Sequence, residues 1–296
     1  MRGVREAAVA GAFYEDGREA LLASLRDCFL HKLGPGSLPQ VAAGGPGRIR
    51  VLVSPHAGYI YSGPAAAHAF AALAADGVPE TAVILGPSHY TSDRRVALSS
   101  APAWRTPLGE VRADAHVAAQ LLKSSDLFEV DEQVHAREHS LEVQLPFLQF
   151  VYGERTPKLC AVCVRAHPWG ALDDLIGDAR ELGEALAEAL EGRHAVVIAS
   201  TDFSHHLPQE LAQSQDRLAL EAILGLDPEG LLRTVAEHDI SMCGPAPVAI
   251  ALFCALRQGP CGAQLLRYHT SGDVTGDRHS VVGYASLAVS TGGDTN

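Results

Sequence analysis

The sequence lacks the features that would tie it to a membrane, to nucleic acid or to a disulfide scaffold. Its longest apolar run, Pro247 to Leu256, falls well short of the roughly 20 residues a bilayer span needs. Basic residues are few: 23 Lys and Arg stand against 35 Asp and Glu, a net charge of −12. That balance excludes a nucleic-acid backbone or an anionic membrane surface as the main partner. The six cysteines are too sparse and irregular for a secreted disulfide framework. The opening MRGVREAAVAGAFYEDG has no sustained apolar segment followed by a cleavage site, so no signal peptide is expected. Together these absences predict a cytoplasmic globular protein. A chain of 296 residues buries about three quarters of its unfolded surface and needs no disulfide or structural metal to fold.

What is present is an alternation of strand-like and helix-like segments. Strands are expected over 49–53, 81–85, 95–98, 159–164, 194–199, 264–268 and 280–289. Helices are expected over 18–30, 64–75 with Pro64 at the start, 114–123 with Asp114 as N-cap, 172–190, 209–236 in pieces, and 245–256. The segment 140–150 reads as a helix that Pro146 kinks or ends early. The apolar runs VLVS, AVILG and AVVIAS fit strands buried on both faces. The fold class is therefore α/β: a three-layer α/β/α sandwich with a parallel or mixed central sheet, one domain over 1–296, and a frayed TGGDTN tail.

Three of these strands run into polar loops that carry histidine: His56 in PHAGY, His89 in GPSHY, and His205 with His206 in STDFSHH. Ligands of α/β sheets bind beyond the carboxyl ends of strands, so neighbouring strands would gather these imidazoles in one cleft. Cys243, in MCGPAP before a helix start, is expected to be shifted towards thiolate by the helix dipole, as a nucleophile or soft metal ligand. Cys160 and Cys163 form a CxxC, but within a strand that spacing sends the side chains to opposite faces, which points to a packing role. In REHSLEVQLP, His139 and Glu142 share helical spacing and could both face the cleft. Glu138, Asp202 and Asp239 are candidate carboxylate donors. The turn-rich TSGDVTGDRHS is expected to be a loop whose Asp residues could line the rim.

Taken in order, AVAGAFY, SPHAGYIYSG, ILGPSHY, WRTPLGEV, EHSLEVQLPFL, STDFSHH, MCGPAP and TSGDVTGDRHSVVGYAS resemble the Memo family. They are most similar to its prokaryotic members, called AmmeMemoRadiSam system protein B. The resemblance covers nearly the whole chain. It implies a fold related to extradiol-type non-haem iron dioxygenases and a copper or iron ion held by His56, His89 and Cys243. It also implies candidate catalytic positions at His205, Asp202 and His139, with His205 in the place of an acid/base histidine. One departure from the dioxygenases matters: a thiolate in place of their carboxylate favours softer, redox-active metals such as Cu(I).

The leading expectation is a metal-dependent redox or dioxygenase-like enzyme acting on a small molecule or peptide. A scaffold protein that uses the same cleft for a partner segment, and a hydrolase, are the alternatives. The family association further suggests a radical-SAM protein and a small companion domain as partners.

Overall fold

The computed structural model describes residues 3–90, 94–165 and 170–292. In chain order its strands are β1 (Ile49–Ser54), β2 (Thr81–Ser88), β3 (Val96–Leu98), β4 (Ala103–Thr106), β5 (Gly109–Arg112), β6 (Phe128–Val130), β7 (Lys158–Arg165), β8 (Ala195–Ser200), β9 (His205–Leu207), β10 (Cys261–Thr270) and β11 (Val281–Thr291). Nine of them form one mixed sheet in the order β10-β11-β1-β8-β2-β7-β3-β6, with β9 attached to β11. The centre is parallel: β8 pairs with both β1 and β2, and β2 pairs with β7. β11 and β10 extend one side antiparallel, and β3 joins β7 antiparallel on the other. β11 ends at Thr291, so the first residue of the expected frayed tail is paired; residues 293–296 lie outside the described residues.

The apolar strands are buried on both faces because each face meets its own layer. Val51, Val83, Leu85, Val162 and Val197 join a core with the helices Leu172–Ala189 and Pro245–Gln258. Leu52, Ala82, Ile84, Ala161 and Val196 join another with the helices Arg18–Leu30, Tyr59–Asp76 and Leu145–Tyr152. This is the three-layer arrangement expected from the sequence. Cys160 falls in the first core and Cys163 in the second, so the CxxC is split across the sheet.

Two prolines sit differently from expectation. The helix expected to begin at Pro64 begins at Tyr59, and Pro64 lies inside it. The first turn forms without it, through Tyr61 and Ser62 amides donating to the Gly58 carbonyl, and the Ser62 hydroxyl adds a bond to the Ala57 carbonyl. Pro146 does not end its helix but sits in the first turn of Leu145–Tyr152, where its missing N–H costs nothing. A short 3₁₀ turn, Glu142–Gln144, precedes it. Asp114 caps Ala115–Ser124 as expected, accepting from the His116 and Val117 amides. Among the described residues, no helix is long and apolar enough to cross a membrane.

Candidate metal centre

The strand order delivers the histidines. β1 and β2 flank β8 in parallel, so the loops after their carboxyl ends leave the sheet side by side. His56 follows β1, His89 follows β2 and Asp202 follows β8. The His56 amide donates to Asp202 Oδ1 at 2.8 Å, which ties the first and third loops together. The segment 138–144 crosses the end of β2. Gly86 permits that crossing, because a Cβ there would sit 2.6 Å from Ser140 Oγ. The Ser140 hydroxyl then bonds the Pro87 carbonyl at 2.8 Å. This brings His139 to the other two imidazoles.

Ring centroids lie 5.3 Å apart for His56 and His89, 5.4 Å for His56 and His139, and 4.5 Å for His89 and His139. One ligand atom from each of the three lies within 4.8 Å of the others, so His56, His89 and His139 could hold a metal ion. His56 is buried and His89 is exposed, which leaves the centre open to solvent on one side.

The hydrogen bonds fix which nitrogen two of the rings offer. His89 Nδ1 lies 3.0 Å from Glu138 Oε1, and His139 Nδ1 lies 3.3 Å from the same oxygen. A carboxylate only accepts, so the hydrogen-bonded His89 ring carries its proton on Nδ1 and leaves the Nε2 lone pair free, whereas the His139 ring is a charge neighbour of that oxygen without a hydrogen bond to it. His56 Nδ1 lies 3.0 Å from Ser200 Oγ. That hydroxyl already donates its one proton to the Ser140 carbonyl at 2.6 Å, so it accepts from His56. His89 and His56 are therefore set to present Nε2, His89 in the manner of metal-site histidines oriented by outer carboxylates. Burial holds His139 down to about 4 and His56 well below the usual imidazole range. Both stay neutral, the form that binds metal.

Glu138 is the positioning group that sequence reasoning misassigned. It is not a spare carboxylate donor. Oε1 accepts from the His89 ring and from the His139 and Ser140 amides at 2.8 Å each, and Oε2 accepts from the His89 amide at 2.6 Å. Burial alone would raise it; the His89 hydrogen bond and charge, the Ser140 amide and His139 outweigh that and bring it to about 2. Asp239, another of the three proposed donors, is exposed. The i, i+3 pairing of His139 with Glu142 also fails, because no helix joins them. Glu142 instead faces the N-terminal segment, accepting from Arg5, Tyr14 and the Ala8 and Val9 amides. That segment carries Phe13, whose ring packs 4.5 Å from His139. AVAGAFY thus contributes a wall of the centre.

Cys243 lies beside the centre but outside the three-imidazole group. Its Sγ is 3.2 Å from His56 Nε2 and accepts from the Asp202 amide at 3.1 Å. Gly244 allows this approach: a Cβ there would lie 2.8 Å from the Ser200 carbonyl oxygen. The expected shift towards thiolate is reversed. Burial, reinforced by Asp202, pushes the thiol up. The thiol donates to the Asp202 carbonyl at 3.4 Å, and its sulfur sits against His56 Nε2.

Asp202 is raised to about 6, chiefly by burial, while the His56 amide and His205 act in the opposite direction. His205 is placed by β9, which pairs with β11. Its Nδ1 lies 2.7 Å from the Ser241 carbonyl, so Nδ1 carries the proton and Nε2 is the basic atom. His206 takes a left-handed φ of 58° and is exposed. The acids of TSGDVTGDRHS serve local turns: Asp273 accepts from the Thr270 amide and Asp277 from the His279 amide, and Ser271–Thr275 forms a short helix within the expected loop.

A three-layer α/β protein with imidazoles gathered over the carboxyl ends of its central strands defines a class, and comparison narrows it. A family model described as Memo-like protein matches residues 5–288. A MEMO1 family protein of Methanopyrus kandleri is 44% identical over 97% of this chain and 99% of its own length. Another, from Methanothermobacter thermautotrophicus, is 42% identical over 96% of this chain and the whole of its own. The chain belongs to the Memo-like family. An uncharacterized protein of Escherichia coli K12 shares the fold, with a TM-score of 0.55 at 14% identity, over 81% of this chain and 99% of that one.

Proposed function

We propose that this chain is a metal-dependent redox enzyme whose copper or iron is held by His56, His89 and His139. The observation that carries the reading is the set of three imidazoles with ligand atoms within 4.8 Å, two of which, His56 and His89, have their Nδ1 protons committed elsewhere. Imidazole donors suit copper and iron. Such an ion would supply electron transfer and polarise a coordinated substrate. His205 Nε2 is the acid/base atom beside the centre. Asp202, brought to about 6 chiefly by burial, is a second group beside the centre that can exchange a proton near neutral pH. A hydrolase using Cys243 as nucleophile is disfavoured, because its thiol is pushed up rather than down. A binding role for the same cleft is supported by one feature: Ile60, Tyr61 and Tyr90 are exposed just after His56 and His89.

Metal analysis of anaerobically purified protein, paired with a turnover screen, tests the reading. The parent should hold copper or iron, and His89→Ala should lose it. His205→Ala should keep the metal and lose turnover by about 10²–10⁴-fold. A reproducibly metal-free parent, or variants that turn over like the parent, would overturn it.

A further inference from the structure

The two strands that aim residues at the metal centre carry a second polar cavity at their other ends. β1 and β8 are parallel neighbours. Their carboxyl ends lead to His56 and Asp202, and their amino ends are flanked by Arg48 with Arg50 and by Arg193 with His194. There a cavity of about 700 Å³ opens, lined by Arg50, Arg193, His194, Arg257, Glu188 and Glu191 among others. That size suits a small organic ligand. Its walls are charged rather than apolar, so the ligand it fits is charged too.

The wall groups are arranged in two sets. Arg193 is anchored: Nη2 donates to Asp114 Oδ2 at 2.8 Å and to Thr81 Oγ1 at 3.3 Å, while its Nε is buried without a partner. Arg50 and Arg257 have no carboxylate partner among the described residues, and neither do Glu188 and Glu191. In a chain of net charge −12, guanidinium groups left unpaired beside unpaired carboxylates mean the two sets do not reach one another. His194 is held in place by the close approach of Gly47, where a Cβ would lie 2.8 Å from Nε2 and where φ is 59°.

We propose that this cavity is a second ligand site, for a small phosphate ester of a polyol. The phosphate sits between Arg50 and Arg257, where guanidinium forks match its oxygens. The hydroxyls donate to Glu188 and Glu191. A ligand carrying both an anion and donor groups satisfies both wall sets, whereas free phosphate satisfies only one. The site is independent of the metal centre, which lies beyond the opposite ends of the same strands.

Titration calorimetry on the intact chain tests this, with glucose 6-phosphate and inorganic phosphate as probes. The sugar phosphate should bind saturably and more tightly than inorganic phosphate. Arg257→Ala and Arg50→Ala should each weaken it by about tenfold, with Arg257 on an exposed helix end where its loss leaves the fold intact. His89→Ala should leave it unchanged. Absence of saturable binding, equal affinity for the two probes, indifference to both arginine variants, or loss of binding in His89→Ala would overturn the proposal; the last would place the anion at the histidines.

Discussion

Glu138 and Glu142 lie four residues apart and are both fully buried, yet they do opposite work. Glu142 accepts from a guanidinium, a phenol and two amides of the N-terminal segment, and holds that segment to the body of the protein. None of its partners offers an imidazole nitrogen afterwards. Glu138 accepts from the His89 imidazole, which is bonded through Nδ1 and keeps a free Nε2, and from the amide of His139. One acid ends in a closed network and the other in an open one. The difference lies in what the partners can still do, not in burial or charge.

The strongest test of that contrast is Glu142→Gln. It leaves Arg5 facing a neutral amide in a buried setting, where breaking one half of an ion pair costs about 3–5 kcal/mol. Denaturant unfolding should show that loss, while metal content per folded molecule stays at the parent level. Glu138→Gln should show the reverse bias. Its outer-shell role predicts a metal affinity about 10–100-fold weaker, with a smaller loss of stability. If the two variants behave alike in both measurements, the distinction between the two acids is wrong.

The contrast was only half visible in the sequence. Strand-end histidines were legible because buried parallel strands read as unbroken apolar runs and the loop after each is short. His56 and His89 therefore meet as expected. The third imidazole was named but given a different role, because His139 arrives from a segment whose path depends on Gly86 and Ser140, a contact no periodicity reports. Glu142 was placed by helical spacing on a stretch that is not a helix at His139, so the inferred face was false. Cys243 was expected to be a thiolate from its position before a helix; burial and the nearness of Asp202, which the sequence does not display, explain the reversal. The hairpin of β4 and β5 in WRTPLGEV went unassigned because its strands are short and its apolar signal is brief.

Asp114 supplies a control carboxylate away from both networks. Burial alone would raise it, but the Thr81 hydroxyl, the Val117 amide and Arg193 outweigh that and hold it below the usual aspartate value of 3.8. A depressed value means that the folded state favours the charged form, so the stabilisation is present above 3.8 and fades as pH falls below it. Asp114→Ala should thus cost up to about 2 kcal/mol at neutral pH, for a lost N-cap and an unpaired Arg193, and progressively less in acid. Unfolding curves of parent and variant that stay equally separated down to the lowest pH would show that the charge is not what matters.

The smallest expected effects belong to the cysteines split across β7. Cys160 packs in one core and Cys163 in the other, and both thiols are raised by burial. Neither is placed to share a metal with the other. Replacement by Ala removes one sulfur from a close-packed layer, a loss of about 1 kcal/mol on the scale of methyl-sized core deletions. Cys163 is the sharper case, because Glu138 acts on it electrostatically. If the network around Glu138 is set by its hydrogen bonds to the His89 imidazole and the amides, Cys163→Ala should leave metal content unchanged and match Cys160→Ala in stability. Metal loss in Cys163→Ala with the fold retained would mean that the packing beneath Glu138, and not only its partners, holds the centre together.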